Sequence, residues 1–531
     1  MKTLVPTLLI TFSFSCFAVL PKSQAVSPPP DGGYAGGNTA EGQNALLSLT
    51  TGTYNTAIGL YSLLSLGDGK FNTGVGAGTL FVNTADQNTA TGAGALFSNT
   101  TGDFNTANGA FALFNNTDAS NNTAVGASAL LFNTTGSENT ALGVEALKNN
   151  LTGVDNTATG FRALMNNTSV DNTANGFGAL QSNTTGSTNT AAGSQALLFN
   201  TEGSSNTATG ASALFSNTTG NSNTANGEEA LFANTTGSGN TGTGTAALTG
   251  NTTGFGNTAN GFQTLQSNTS GNGNTGAGVA ALSSNTSGAE NTAIGFNALA
   301  TNIDGANNTA VGSGALVNST GGDFNTAVGL GALSNNTTGS SNIALGRLAG
   351  EGVATANNVI CIGALVDGAD VSNSCYIGNI HGQTVDSGTG LAVFVDSAGK
   401  LGTTLSSRRF KRDIKAMGKS SEVVLALKPV TFYYQTDAKA TPQFGLVAED
   451  VAEVNPDLVV RDRDGELLSV RYDQVNAMLL NEFIKEHRKV QEQQQEIDAL
   501  KAELREQRDL IQKVNDKLEM RPPTALLTKD S

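Results

Sequence analysis

The sequence predicts a mostly β protein: a repetitive parallel β-solenoid or β-roll, then a small α+β module, then a C-terminal coiled coil. Three observations carry that reading. A motif of about 17 residues recurs over residues 38–358. The 531 residues include 65 Gly and no Trp, and only 13% are charged, a mixture that excludes the several large-side-chain cores of a conventional globular enzyme. Charge density also changes near residue 400: residues 1–400 carry 7 Lys/Arg and 21 Asp/Glu, whereas residues 401–531 carry 21 and 22. The acidity belongs to the first part, which excludes nucleic-acid binding there by phosphate neutralisation. Ala, Leu and Phe recur too regularly for disorder by composition.

The elements follow in chain order. Lys2, an apolar run from Leu4 to Leu20 and the small residues Ser23-Gln24-Ala25 describe a secretory signal peptide over 1–25. Thr7, Thr11, Ser13 and Ser15 dilute the run below what a membrane span needs. The product is therefore expected to be secreted, extracellular or on the cell surface, with no membrane span after removal of the leader. Residues 26–37, with Pro28-Pro29-Pro30 and Gly32-Gly33, read as a linker.

From Asn38 the pattern Asn-Thr-Ala-x-Gly-x-x-Ala-Leu-x-x-Asn-Thr-Thr-Gly repeats, with its first Asn at 19 positions ending at Asn342. Each unit is expected to be one coil of two short strands, roughly Thr-Ala-x-Gly and Ala-Leu-x-x. The Gly permits a turn, Ala and Leu point inward, and Asn and Thr form ladders between coils. At 4.7–4.8 Å per rung the coils make a rod of about 90 Å. Residues 359–400 read as terminal rungs and a connector. Because one coil holds essentially one Leu and a few Ala, the reading favours three parallel chains sharing a core over a self-sufficient single chain. Asn-Thr-Ala-Val-Gly at 122–126, 308–312 and 325–329 resembles the heads of trimeric autotransporter adhesins, which implies a left-handed parallel β-roll and a homotrimer.

Several site readings arise within the repeat. Asn-x-Thr triplets such as Asn99-Thr100-Thr101 match the glycosylation acceptor pattern, but the repeat itself imposes them and a ladder is the better reading. Asp is too sporadic for calcium-binding rolls, and Glu228-Glu229 reads as a surface substitution. Regular Thr rows on a flat face permit an ice- or glycan-binding surface, with a plain stalk as the simpler reading. His381 and His487 are the only histidines, so no metal site and no cofactor is expected. Cys361 and Cys375 form either a disulfide or small apolar core residues, and the second is favoured.

The C-terminal module spans residues 401–482. It opens with Leu405-Ser406-Ser407-Arg408-Arg409-Phe410-Lys411. A hydroxyl and an amine five residues apart can meet in a turn, as Ser–Lys pairs do, although on spacing alone a solvated basic patch is the favoured reading. The wider pattern is more specific: Ser-x-x-Arg-x-Lys, then Leu427-Lys428-Pro429-Val430, Phe444-Gly445-Leu446-Val447-Ala448-Glu449-Asp450-Val451 and Val470-Arg471-Tyr472-Asp473. It resembles the intramolecular chaperone auto-processing domain of phage tailspikes, tail fibres and endosialidases, shared by the myelin regulatory factor. The resemblance implies a domain that trimerises a fibre, helps it fold and cuts itself off, with no activity on external substrates. It implies Ser406 as nucleophile, Lys411 as general base and the Leu405–Ser406 bond as the one cut. Ser407 stands where that family often carries Asp.

Phe483, Val490, Ile497, Leu504, Ile511 and Leu518 recur every seven residues, which predicts a coiled-coil helix over 483–520. Pro522-Pro523 stop it, and 521–531 is expected to be a disordered tail. Taken together the sequence describes a secreted homotrimeric fibre or adhesin-like surface protein, partnered with itself and with a surface glycan or protein. The alternatives are a phage-type tail fibre, or a solenoid glycan- or ice-binding protein carrying the same module.

Overall fold

Each repeat folds into one coil of a parallel solenoid, and the coil follows from which residues tolerate burial. The computed structural model describes residues 34–520 apart from residues 387, 397 and 463. The expected leader over 1–25, most of the linker over 26–37 and the tail over 521–531 lie outside the described residues. The chain divides into two units, Met1–Gln383 and Thr384–Ser531.

In the first unit a strand of three residues opens every coil, from β1 (Thr39–Glu41) and β2 (Thr56–Ile58) to β20 (Ile360–Ile362) and β21 (Cys375–Ile377). Each strand pairs in parallel with the next and without slip, Thr39 opposite Thr56 and Ala40 opposite Ala57. The coil that begins at Asn105 is representative. Asn105, Ala107, Ala112, Leu113 and Asn116 are wholly buried, while Thr106 and Asn108 face outward. Gly109 then turns the chain at φ +146°, and a Cβ there would lie 2.4 Å from the carbonyl oxygen of Gly126. Both conformation and space demand glycine at this column.

The expected second strand over Ala-Leu-x-x is not formed. That stretch is a run of turns in which alternate residues are left-handed, Phe111 at φ 60° and Leu113 at φ 50°. The alternation sends successive N–H groups in opposite directions along the axis. Phe111 donates to Ala93 O at 3.0 Å in the preceding coil, and Leu113 donates to Ala129 O at 3.0 Å in the following one. A coil this short must close a full circle, which an extended second strand would prevent. A left-handed Leu costs about 1–3 kcal/mol, which full burial of its side chain, at about 1.5–3 kcal/mol, offsets.

The core is also complete within one chain. Leu113 and its equivalents from Leu63 to Leu316 are 0% exposed with no second copy present, so the thin core does not need three chains to close it. Buried amides supply the rest. Asn55 N–H donates to Asn38 Oδ1 at 2.8 Å, and its Nδ2 donates to Gly69 O at 2.9 Å. A second ladder links Asn116 Nδ2 to Asn99 Oδ1 at 2.8 Å. Asn99 also donates to Asn83 Oδ1 and to Gly102 O, so its amide is consumed inside the coil and is closed to a glycan. Further out, side-chain acceptors at one column cap the N–H of the preceding coil, as Asp103 does for Asp86 at 2.7 Å and Ser137 for Ser120 at 3.0 Å. Asp86, Asp103 and Asp323 thus do the same work at this column as Ser and Asn. Stacked rings mark the coil spacing, with Phe81, Phe97 and Phe114 at centroid separations of 4.8 and 5.0 Å.

Beyond the last repeat two more strands extend the ladder, with Cys361 taking the buried Ala slot of β20. Cys375 lies opposite Ile360 and Cys361 opposite Tyr376. Residues next to one another along a strand face opposite sides, so Cys361 is buried, Cys375 is exposed, and both are free. The expected alternative of a disulfide is not formed. Asp370 ties the loop between these strands down. Its Oδ1 accepts the N–H groups of Ala354, Thr355 and Ala356 at 2.9, 2.8 and 2.6 Å. Those bonds hold its carboxyl down to about 2.

The second unit is ordinary in composition and small in core. Hairpins β22 (Phe394–Val395) with β23 (Leu401–Gly402), β24 (Val430–Phe432) with β25 (Gln443–Gly445), and β26 (Val459–Arg461) with β27 (Leu467–Val470) accompany the short helix α1 (Ala448–Val454). The long helix α2 runs from Tyr472 to Glu519. Val451, Leu458, Val459, Val470 and Val475 form the core. The helix therefore starts eleven residues before the first expected heptad position, Phe483, because its first turns cover this core. The heptad residues lie on one continuous helix and are exposed, Leu504 at 65% and Ile511 at 62%. A coiled coil is not formed by the single chain.

Candidate functional site

Ser406 and Lys411 sit either side of a single 3-10 turn, Arg408–Phe410. Ser407 enters it with φ −62° and ψ 143°, and its carbonyl oxygen accepts the N–H of Phe410 at 3.0 Å. The carbonyl of Arg408 accepts the N–H of Lys411 at 3.1 Å. The turn folds the lysine back over the serine, and Lys411 Nζ donates to Ser406 Oγ at 3.2 Å. The Ser407 hydroxyl makes no capping bond. Every residue from Leu401 to Ala416 is exposed, Leu405 at 58%. Arg409 lies over the Phe410 ring at 4.6 Å. Arg408, Arg409 and Arg412 surround the lysine in sequence, so the only hydroxyl bonded to an amine in this stretch lies in a strongly cationic one.

A second serine–lysine contact lies in the same unit and was invisible in the sequence. Ser421, on the 3-10 helix Gly418–Ala426, is 0% exposed. Its hydroxyl accepts from Asn481 Nδ2 at 2.6 Å and from Lys485 Nζ at 3.3 Å, and donates to Glu482. The two contacts differ in chemistry. Lys485 is bonded to Glu482 at 2.7 Å and lies 3.5 Å from Glu422, and these carboxylates push its ammonium above the usual lysine range. A lysine so stabilised stays protonated and cannot take a proton from serine. Glu482 is correspondingly held below the usual carboxylate range by Lys485 and Ser421. Ser421 is thus a clamp between the 3-10 helix and α2. Ser406 faces an amine with no carboxylate bonded to it among the described residues.

Residues from each of the remaining motifs line a groove of about 610 Å³ between β24, β25 and the start of α2. Phe444, Leu446, Leu427 and Leu479 supply its apolar wall. Tyr472 closes one side, its hydroxyl accepting the N–H of Leu446 at 3.0 Å. The short motifs quoted from 427–430, 444–451 and 470–473 therefore converge on this groove and the adjoining core. Glu228 and Glu229 are exposed on the solenoid, and His487 stacks on Phe483 along α2. No helix among the described residues is long and apolar enough to cross a membrane.

A family model described as chaperone of endosialidase matches residues 406–460. The match begins at the serine of the exposed pair and covers the 3-10 helix, β24, β25 and α1. No curated protein and no solved structure matches the chain. A chaperone-of-endosialidase segment after a β-solenoid fits a fibre-like protein with a C-terminal chaperone.

Proposed function

We propose that the chain is an exported, fibre-forming protein whose C-terminal unit brings three copies together, assists their folding and then severs itself before Ser406. The observation that carries the cleavage reading is the 3.2 Å contact between Lys411 Nζ and Ser406 Oγ, at the first residue of the matched segment. In this reading Lys411, as a neutral amine, takes the hydroxyl proton of Ser406. Oγ attacks the carbonyl carbon of Leu405, the C–N bond breaks, and the proton passes to the departing α-amine of Ser406. The chain is then joined through an ester, and water hydrolyses it to leave a carboxylate on Leu405 and a free hydroxyl on Ser406. A lysine works as a base once water is excluded around it. The pair is exposed in one chain, so assembly that covers it would switch the reaction on.

The exposed heptad face of α2 and the apolar groove around Phe444 support self-association, since neither is covered within one chain. Homotrimerisation is what the family resemblance implies, and secretion rests on the leader expected over 1–25. The test compares wild type with Ser406→Ala and Lys411→Met on a denaturing gel, followed by N-terminal sequencing. Wild type is expected to release a fragment beginning at Ser406 and both variants to remain whole. An intact wild-type chain overturns the cleavage reading.

A second reading is favoured by one observation, the column of outward-facing Thr that runs in register along the strands, such as Thr190, Thr207 and Thr224. Such a row suits a glycan or an ice surface. A glycan array and an ice-growth assay decide it, because a plain stalk scores in neither.

A further inference from the structure

The outward face of the solenoid changes character along its length. At the first outward position Thr occupies every strand from β1 to the strand Thr326–Val328, and the last three strands replace it by Ile343, Ile360 and Cys375. At the second outward position the last six strands carry Ile294, Val311, Val328, Leu345, Ile362 and Ile377 without interruption. None of these positions is charged. Leu345, Ile362 and Ile377 remain 40%, 38% and 42% exposed, although the inner residues Ala344 and Cys361 of the same strands are buried.

We propose that this apolar end face of the solenoid meets the same face of the other copies of the chain around their common axis. The proposal rests on the self-association reading above and names where the solenoids touch. The two apolar columns expose apolar surface on the order of 600 Å², the upper end of what a monomer's largest patch shows. That is most of the roughly 800 Å² per partner that a stable interface takes. A second copy is the partner that fits by chemistry. Parallel chains held in register set identical uncharged rows side by side, so Ile meets Ile and no charge is buried. Packed sheets lie about 10 Å apart, and these strands are in register and without bulges. The Thr-lined coils offer no comparable gain and stay hydrated. Contact is thereby confined to the end of the solenoid nearest in sequence to the segment matched by the chaperone family.

Cys375 lies in this face, exposed and free, and reports on it directly. The full-length protein is treated with a bis-maleimide of about 10 Å reach and run on a denaturing gel, with Cys375→Ser as the control for site. Oligomeric state is measured in parallel by light scattering. The expected result is a cross-linked species that Cys375→Ser abolishes. Ile362→Asp should reduce the cross-link roughly tenfold or more, since an unpaired carboxylate would be buried. Thr209→Asp, at the equivalent outward position of a distant coil, should leave it unchanged. Ile362 points outward, so circular dichroism should show the Ile362→Asp coil intact. An oligomer that yields no Cys375 cross-link, or one indifferent to Ile362→Asp, overturns this proposal while leaving the self-association reading standing. A monomer overturns both.

Discussion

The two units solve the same problem, burying enough to hold a fold, in opposite ways. The solenoid repeats one coil whose core residues are all buried within one chain, and whose interior amides bond their copies one coil away. The C-terminal unit has a core of five buried residues and leaves Phe444 at 81% and the heptad residues of α2 exposed. A repeat can satisfy itself because every coil has a neighbour of the same shape. A small domain with one long helix has no such neighbour, and its apolar surface is left for partners.

The sharpest way to break this contrast is to truncate equivalent apolar residues. Leu113→Ala should destabilise the solenoid by about 2–5 kcal/mol, whereas Leu504→Ala in a dissociated chain should change stability by less than about 0.5 kcal/mol. Urea unfolding of both variants checks this, and an equally large loss for Leu504→Ala in a monomer would show that the helix is covered within one chain.

A smaller effect sharpens the picture of the coil interior. Where Thr264 replaces Ala at the buried column, the next coil carries Gly276 instead of Ala, and a Cβ on Gly276 would lie 2.5 Å from Thr264 Cγ2. Gly276→Ala should cost about 1–3 kcal/mol through overpacking, and Thr264→Ala in the same chain should restore most of it. Gly242, whose added Cβ would come no closer than 3.3 Å to Ala247 O, should lose less on the change to Ala than Gly276 does. The double-mutant cycle in urea is the measurement.

The amide ladder has one flaw that can be repaired. Ser319 stands where the coils on either side carry the second buried Asn, and Asn302 Oδ1 and Ser319 Oγ are left without partners, while Asn336 Oδ1 ends the ladder because Val353 follows it. Ser319→Asn should restore the bond to Asn302 and raise stability by about 1–2 kcal/mol, read as an increased melting temperature. A decrease would mean that the gap is filled some other way.

The smallest effects are in pH. The Asp370 carboxyl is held below its ordinary value by backbone N–H groups, so its contribution is complete above that value and is lost as pH falls through about 2. Glu482 is also depressed, by Lys485 and Ser421, so the clamp weakens as pH falls below the usual carboxylate range. Lys485 is raised, so its part of the clamp persists through neutral pH and is lost only as pH rises past the ordinary lysine value. Hydrogen exchange across an acid series should show the amides of Ala354, Thr355 and Ala356 protected until about pH 2. Asp370→Asn should remove that acid dependence.

Much of the fold was legible because a repeat states its rules many times. The Gly column, the inward Ala and Leu and the Asn ladders could each be read from nineteen copies. The Ser406–Lys411 contact was legible because it is local, spanning one turn. What escaped was either conformational or long-range. Ala-Leu-x-x looks like a strand by composition, yet closing the coil forces Leu113 into a left-handed state. Ser421 meets Asn481 and Lys485 across 60 and 64 residues, and no short pattern announces such a meeting.

By itself, then, the sequence determined the period, the residues that stack and the serine and lysine of one turn, because periodicity and short-range geometry are written directly in the order of residues. Tertiary structure decided three things: that one chain closes its own core, that Cys361 and Cys375 point to opposite faces, and that the uninterrupted apolar run of the last coils faces outward. Each depends on the path of the backbone around a coil, which sets the side every residue faces and is known only once the coil has closed.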